Sequence, residues 1–163
     1  MERGWHRVVM GDVIRKETRR RGLEPDAKNT GEVMRNLRKE RGESAVADLC
    51  LAEIRSGRAD RVVIDGIRSM VEVETFRKNA PVILIAVHAS PERRFELLKE
   101  RGRSDDPASR EAFARRDERE LAVGIGNAIA SADEVISNER STPAKLAASM
   151  VEAVDRWMKA VDS

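Results

Sequence analysis

The segment Val62-Val63-Ile64-Asp65-Gly66-Ile67-Arg68-Ser69 gives the clearest structural signal in the sequence. Its three β-branched apolar residues predict a strand buried on both faces, as in a parallel sheet covered by helices. Asp65 stands at the carboxyl end of that strand, where open α/β sheets bind ligands, and Arg68 follows in a polar turn. A carboxylate there can hold a metal or its water, and a guanidinium can bind phosphate through two hydrogen bonds. The alternative, that both side chains only satisfy loop backbone, stays open at this point.

The same strand–turn–helix unit recurs along the chain. Ser69-Met70-Val71-Glu72 has the form of a capping box, which predicts a helix over 69–79. Strands are predicted at 7–10, 61–65, 82–88 and 134–137, and further helices at 13–21, 30–41, 44–54, 90–101, 122–132 and from 142 onward. Strands that alternate with helices predict a parallel α/β sheet with crossover helices. Asp12 is predicted to cap the first helix.

Residues 102–120 differ from the rest of the chain because they are very polar. They favour a helix, but Phe113 is their one large apolar side chain. A segment with so little to bury is expected to be mobile or to be ordered by a ligand.

Composition favours one domain in a reducing, cytoplasmic compartment. The 163 residues are 40% hydrophobic, enough for a sizeable core. The longest apolar run, from Pro81 to Val87, is too short to cross a bilayer, so no membrane partner is expected. The single cysteine, Cys50, excludes an internal disulfide, and its apolar helical surroundings predict a core residue rather than a nucleophile.

Charge is high but mixed in sign. Charged residues make up 37% of the chain, and the net charge is only +2. This balance predicts a surface rich in ion pairs rather than a cationic stripe for nucleic acid. Aromatic residues, at 3%, are too few to form stacking platforms for single strands.

Four segments carry a resemblance to a known family. They are Val9-Met10-Gly11-Asp12-Val13-Ile14-Arg15, Val62-Val63-Ile64-Asp65-Gly66, Arg103-Ser104-Asp105-Asp106 with Arg115 and Arg116, and Ala132-Asp133-Glu134-Val135-Ile136-Ser137-Asn138. In this order the chain resembles P-loop nucleoside monophosphate kinases, especially the archaeal adenylate-kinase-like and dephospho-CoA-kinase-like group. The resemblance implies one kinase-like domain over 1–163, with a helical acceptor-binding region at 12–60 and a lid-like segment at 101–120.

The resemblance also implies a reaction and a set of site residues. The reaction is transfer of a phosphoryl group from ATP, with Mg²⁺, to a nucleotide or another small-molecule acceptor. Asp65 would orient Mg²⁺ through water. The acceptor would be bound by Asp12, Arg15 and Arg68, the developing charge by Arg103, Arg115 and Arg116, and Asn138 would border the base. Arg68 stands one position earlier after its glycine than in typical adenylate kinases. AMP, another nucleotide, dephospho-CoA and other small molecules remain open as acceptors.

One departure from the family bears directly on activity. The family begins with a buried strand and a loop G-x-x-x-x-G-K-[ST], whose backbone N–H groups and lysine hold the phosphates. The present sequence contains no Gly-Lys pair, and Met1-Glu2-Arg3-Gly4-Trp5-His6 resembles the end of the helix that follows that loop. We therefore expect a three-layer α/β fold, in which helices flank a parallel sheet that lacks its central first strand. The open edges of the neighbouring strands favour a homo-oligomer. We also expect no ATP turnover by this chain.

A non-catalytic protein on the same scaffold is the alternative. It would be regulatory, or it would bind nucleic acid through its arginines. A steep loss of nucleic-acid affinity with salt would favour this alternative. An in-frame stop directly upstream of the Met1 codon would favour it as well, whereas an encoded strand and phosphate loop would favour the kinase.

Overall fold

The computed structural model describes residues 4–57, 59–103 and 106–161. The predicted features at Met1–Arg3, Ser104 and Asp105 therefore lie outside the described residues. In chain order the elements are β1 (His6–Val9), α1 (Met10–Arg20), α2 (Ala27–Arg41), α3 (Ala45–Ser56), β2 (Val62–Asp65), α4 (Met70–Arg77), β3 (Ile85–His88), α5 (Pro91–Arg101), α6 (Arg110–Val123), α7 (Ile125–Ala130), β4 (Glu134–Ser137) and α8 (Pro143–Val161).

The strands form two parallel pairs. β1 pairs with β2 in the register His6 to Val62, and β3 pairs with β4 in the register Ile85 to Glu134. Within the described residues these pairs are two separate two-stranded sheets, so β2 and β3 do not hydrogen-bond to each other. The four predicted strands and the parallel α/β arrangement are thus confirmed.

The third strand is shorter than the sequence predicts. The prediction of 82–88 is wrong for its first three residues, because pairing starts only at Ile85. The backbone N–H of Leu84 donates to the carboxylate of Asp133 at 2.7 Å, and the carbonyl of Leu84 accepts from the N–H of Asp133 at 2.8 Å. The carboxylate of Asp133 therefore accepts the backbone N–H of Leu84 in place of a strand carbonyl, just before the β3–β4 hydrogen bonds begin.

The largest core lies on one face of the β1–β2 pair. Helices α1, α2 and α3 pack against one another there, and α3 also contacts β1 and α4. The fully buried side chains of this cluster include Val8, Val33, Leu37 and Cys50. The prediction that Cys50 is a core residue is confirmed.

The opposite faces of the strands are not covered in the same way. The sequence predicts burial on both faces, which is wrong for Val63 and Val87, since their exposed fractions are 42% and 48%. A run of β-branched residues fixes the strand, but burial also requires an element that packs on each face. In the described part of the chain, the face of β2 that carries Val63 remains open to solvent.

Local capping chemistry accounts for several helix starts. Ser69 and Glu72 form the predicted capping box, in which each side chain binds the other residue's backbone N–H. Ser90 caps α5 by accepting from the N–H of Arg93. The predicted cap at Asp12 is wrong, because α1 begins at Met10 directly after β1 and Val9 takes the cap position. Asp12 lies instead in the first turn, where a carboxylate is favoured by the helix dipole.

The helical tendency predicted for the polar segment after α5 is confirmed for 110–120, which belong to α6. That the segment is mobile or ordered by a ligand stays a prediction. Ser109 caps this helix by accepting from the N–H of Ala112, and Phe113 is buried with its ring centroid 5.5 Å from that of Phe95. α7 follows at once, because Gly124 has a φ of +109°, a conformation that lets the chain turn sharply.

Candidate functional site

Two predicted site residues stand at the carboxyl ends of strands. Asp65 is the last residue of β2, and Asn138 follows β4. The N–H of Asn138 donates to the carbonyl of His88 at 2.7 Å, which continues the β3–β4 pairing by one bond. Gly66 has a φ of +103°, and a Cβ added there would lie 3.6 Å from the Cβ of Met10. The positive φ favours glycine in the turn after β2, and the 3.6 Å distance places this turn in ordinary contact with the start of α1.

Asp65 has a partner that sequence reasoning did not identify. Arg7, on β1, donates from Nη2 to Oδ2 of Asp65 at 2.7 Å. Both side chains are 52% exposed, so the pair is well solvated. Strand alternation could have indicated this contact, since Arg7 pairs with Val63 and therefore lies on the same face as Asp65.

Asp12 and Arg15, the two residues of α1 that are predicted to bind the acceptor, contact each other. Arg15 donates from Nε to Oδ1 of Asp12 at 3.1 Å. The guanidinium of Arg15 also covers Gly11, where an added Cβ would be 3.5 Å from Nη1. Asp12 thus holds the arginine close to the amino end of α1, near the turn that contains Gly66.

Arg68 is fixed through both its backbone and its side chain. Its backbone N–H donates to Oε2 of Glu72 at 2.7 Å, and its Nε forms an ion pair with Glu120 of α6. Glu72 is completely buried, and it also accepts from Arg38 at 3.0 Å. The buried carboxylate of Glu72 therefore links α2 to the turn that carries Arg68.

The lid-like segment is organised around Asp106. Arg101 donates to this carboxylate from Nε at 3.0 Å, the N–H of Arg103 donates at 2.9 Å, and Nη1 of Arg116 lies 3.6 Å away. The side chain of Asp106 is only 5% exposed. The hydrogen bond from Arg101 is the main reason that the pKa of Asp106 lies below its ordinary value.

These contacts bring some of the predicted residues together. Arg68 and Arg116 meet at Glu120, since Nε of Arg116 is 3.8 Å from Oε1 of that carboxylate. Arg103 joins the same group through its backbone bond to Asp106. Arg115 is exposed on α6, outside this set of contacts. The role of Glu120 was missed, although its position four residues after Arg116 on a helix is a signal for such a pair.

A surface cavity lies at the carboxyl ends of β3 and β4. It has a volume of about 480 Å³, and its lining includes Ser90, Arg93, Glu139 and Thr142. Glu139 accepts hydrogen bonds from the N–H of Ser90 at 2.6 Å and from its hydroxyl at 2.7 Å, and these bonds lower the pKa of Glu139. The cavity adjoins the loop that contains Asn138.

The donor set at Asp65 suits a loosely held ion. Among the described residues, no three His, Cys, Asp or Glu side chains converge in a way that could hold a metal. One half-exposed carboxylate fits Mg²⁺ that is held chiefly by substrate phosphates and water, since Mg²⁺ commonly keeps several of its waters. The described helices include none with the length and apolar content needed to span a bilayer.

Comparison with known families agrees with this geometry. Residues 2–114 match the AAA domain family. Together with parallel strand pairs that end in polar turns, this match defines the class as P-loop kinase-like, for which nucleotide and Mg²⁺ use are general features.

Similar proteins occur in several organisms. UPF0200 protein MJ1399 of Methanocaldococcus jannaschii is 52% identical over 136 residues, which are 82% of this chain and 69% of that protein. A UPF0200 protein of Thermococcus onnurineus is 50% identical over 85% of this chain and 77% of its own length. UPF0200 protein Mbar_A0975 of Methanosarcina barkeri is 44% identical over 96% and 84%. The chain therefore belongs to the AAA domain family and to the UPF0200 proteins.

Proposed function

We propose that this chain forms the acceptor side, the magnesium-positioning carboxylate and the lid of an ATP-dependent phosphotransferase. The contact of Arg68 and Arg116 at Glu120 is the observation that carries the proposal. One arginine comes from the tip of a strand and the other from the lid-like helix, so two separate elements direct guanidinium groups to one place. Phosphoryl transfer depends mainly on such positioning and on neutralising charge.

Each proposed role follows from the position of the residue. Asp65 orients Mg²⁺ through water at the end of β2, and the bound ion supplies charge neutralisation for the phosphates. Arg15, held by Asp12, binds the acceptor phosphate at the amino end of α1. No general base is needed when the acceptor group is already a phosphate.

The lid arginines would act on the group in transfer. Arg116 shares the carboxylate of Glu120 with Arg68, which follows β2, while Arg103 and Arg115 are exposed. Closure of this segment over bound nucleotide would bring their charges toward the phosphates. Asn138, beside the cavity at the ends of β3 and β4, would border the base.

Turnover is proposed to need a phosphate loop that the 163 residues do not contain. β2 and β3 each have one edge that pairs with no other described strand. A strand that carries the loop would pair with both edges and join the two sheets into one five-stranded layer between helices. Without the loop's backbone N–H groups and lysine, transition-state stabilisation is lost, and a second copy of the chain can occupy the open edges.

The acceptor can be identified by product analysis. The protein would be extended by the residues encoded in frame upstream of Met1 and supplied with ATP, Mg²⁺ and one acceptor at a time. Formation of ADP from AMP would indicate an adenylate-kinase-like reaction, whereas a new phosphate ester on dephospho-CoA would indicate a dephospho-CoA-kinase-like reaction. The Arg15→Gln variant should raise KM for a phosphate-bearing acceptor far more than KM for ATP. An equal effect on both substrates would contradict the proposed role of Arg15.

A further inference from the structure

A carboxylate on the lid-like helix lies between two arginines that approach it from different elements. Glu120 of α6 forms an ion pair with Nε of Arg68 through Oε2, and its Oε1 is 3.8 Å from Nε of Arg116. The exposed fractions of the three side chains are 23% for Glu120, 32% for Arg68 and 25% for Arg116. The cluster is therefore partly shielded from solvent, and screening of its charges is reduced.

Neighbouring contacts hold this cluster in place from both sides. The backbone of Arg68 is fixed by buried Glu72, whose Oε2 accepts its N–H at 2.7 Å. Arg116 lies 3.6 Å from Asp106, which is bound in turn by Arg101 at the end of α5. The Arg68–Glu120 contact is thus a direct link between the turn after β2 and the lid-like segment.

The chemistry of this link resembles that of a ligand complex. A carboxylate and a phosphoryl group present similarly spaced oxygens to a guanidinium, so both can occupy the same donors. We propose that Glu120 is an internal stand-in for a ligand phosphate. It keeps Arg68 and Arg116 together while no ligand is bound, and a phosphate-bearing ligand displaces it from them. This inference rests on the proposed function, because it concerns the same phosphate site.

Two consequences follow for binding. The ligand must break the Glu120 contacts before it can use the guanidinium groups, and the negative charge of Glu120 also opposes an incoming anion. Both effects lower the affinity for phosphate compounds. The ligand phosphate then takes the place of Glu120 between Arg68 and Arg116, so ligand binding is coupled to a rearrangement of the lid-like segment against the turn after β2.

The test uses inorganic tripolyphosphate as the probe and the full chain as the protein. Glu120→Gln removes the charge and keeps the shape of the side chain. Glu118→Gln is the matched control, since it removes the same charge from an exposed position on the same helix. Calorimetric titration should show that Glu120→Gln binds tripolyphosphate about 5-fold more tightly than wild type, the size expected for loss of a partly exposed competing ion pair. Glu118→Gln should bind like the wild type.

Hydrogen exchange gives a second readout, because it reports on the contacts of α6 and not only on the affinity for the ligand. Saturating tripolyphosphate should change amide exchange in residues 110–123 of the wild type, because the Glu120 contacts are exchanged for contacts with the ligand, and the change should be clearly smaller in Glu120→Gln, which has no ion pair to release. Unchanged or weaker binding by Glu120→Gln, when the wild type binds, would overturn the inference and leave the proposed function standing. If neither protein binds tripolyphosphate, even when each is extended by the residues encoded in frame upstream of Met1, the proposed phosphate site is wrong and the inference falls with it.

Discussion

Arg7 and Asp65 join the two strands of the first sheet on its solvent-facing side. Nη2 of Arg7 donates to Oδ2 of Asp65 at 2.7 Å, and both side chains are half exposed. A solvated pair of this kind adds little stability, because water screens the charges and both side chains lose freedom. The contact lies at the end of β2, beside the proposed magnesium site.

Asp65→Asn is expected to weaken Mg²⁺-dependent ligand binding strongly and to change the stability of the fold only slightly. The free energy of unfolding should change by less than about 1 kcal/mol, since the lost ion pair is exposed. Mg²⁺-dependent nucleotide binding, measured on the protein extended upstream, should be largely lost. Arg7→Gln is the control, because it breaks the same pair but keeps the carboxylate. Full Mg²⁺ dependence in Asp65→Asn would contradict the assigned role.

Glu72→Ala is expected to destabilise the fold strongly. Glu72 is fully buried and accepts from Arg38, whose side chain is only 10% exposed, and from the N–H groups of Arg68 and Ser69. Removing one partner of a buried pair should cost about 3–5 kcal/mol in urea unfolding, because the other charge is left uncompensated. Glu74→Ala, an exposed site on the same helix, should cost far less. Equal effects of the two substitutions would show that the Glu72 contacts contribute little.

Glu17 should make stability depend on acid pH. Hydrogen bonds from Arg20, and next from Arg21, lower the pKa of Glu17 from 4.5 to about 2. Because the pKa is lower in the folded state, this stabilisation is complete above about pH 4.5 and is lost as the pH falls toward about 2. Urea unfolding across this range should show a shallower pH dependence for Glu17→Gln than for the wild type. Glu40→Gln removes an exposed partner of Arg21 and should keep most of the slope.

Cys50 should be chemically inert in the folded protein. It is fully buried, and burial raises the pKa of its thiol to about 12, with smaller contributions from Glu72 and Glu53. Almost no thiolate is present near neutral pH, and the thiolate is the form that reacts. A thiol-specific disulfide reagent should label the chain only after unfolding, with one equivalent incorporated. Rapid labelling of the native chain would contradict the core assignment.

Local chemistry explains why much of the fold could be predicted from sequence. The caps at Ser69 and Ser90 depend on residues within three positions, so a short pattern is enough to identify them. The strand at 62–65 was evident from its β-branched run. The helix at 110–123 was harder to place, since Phe113 is anchored by Phe95 from another helix.

The candidate site could be predicted only in part, because its contacts are distant in sequence. Asp65 and Arg68 were predicted as site residues from their place after a strand, and this assignment stays a prediction. Their partners Arg7 and Glu120 were not, since each pairing depends on how separate elements come together in the fold. Exposure of Val63 was missed for the same reason, as burial requires a covering element elsewhere in the chain.

The most direct test of the account is ATP turnover by this 163-residue chain, measured beside the same chain extended by the residues encoded in frame upstream of Met1. Where those residues encode a strand and a phosphate loop, the account predicts turnover only in the extended protein, because such a loop would supply the backbone N–H groups and the lysine that complete the phosphate site. Asp65→Asn in the extended protein should abolish that turnover, which guards against a contaminating kinase. Turnover at ordinary kinase rates by the 163 residues alone would contradict the account.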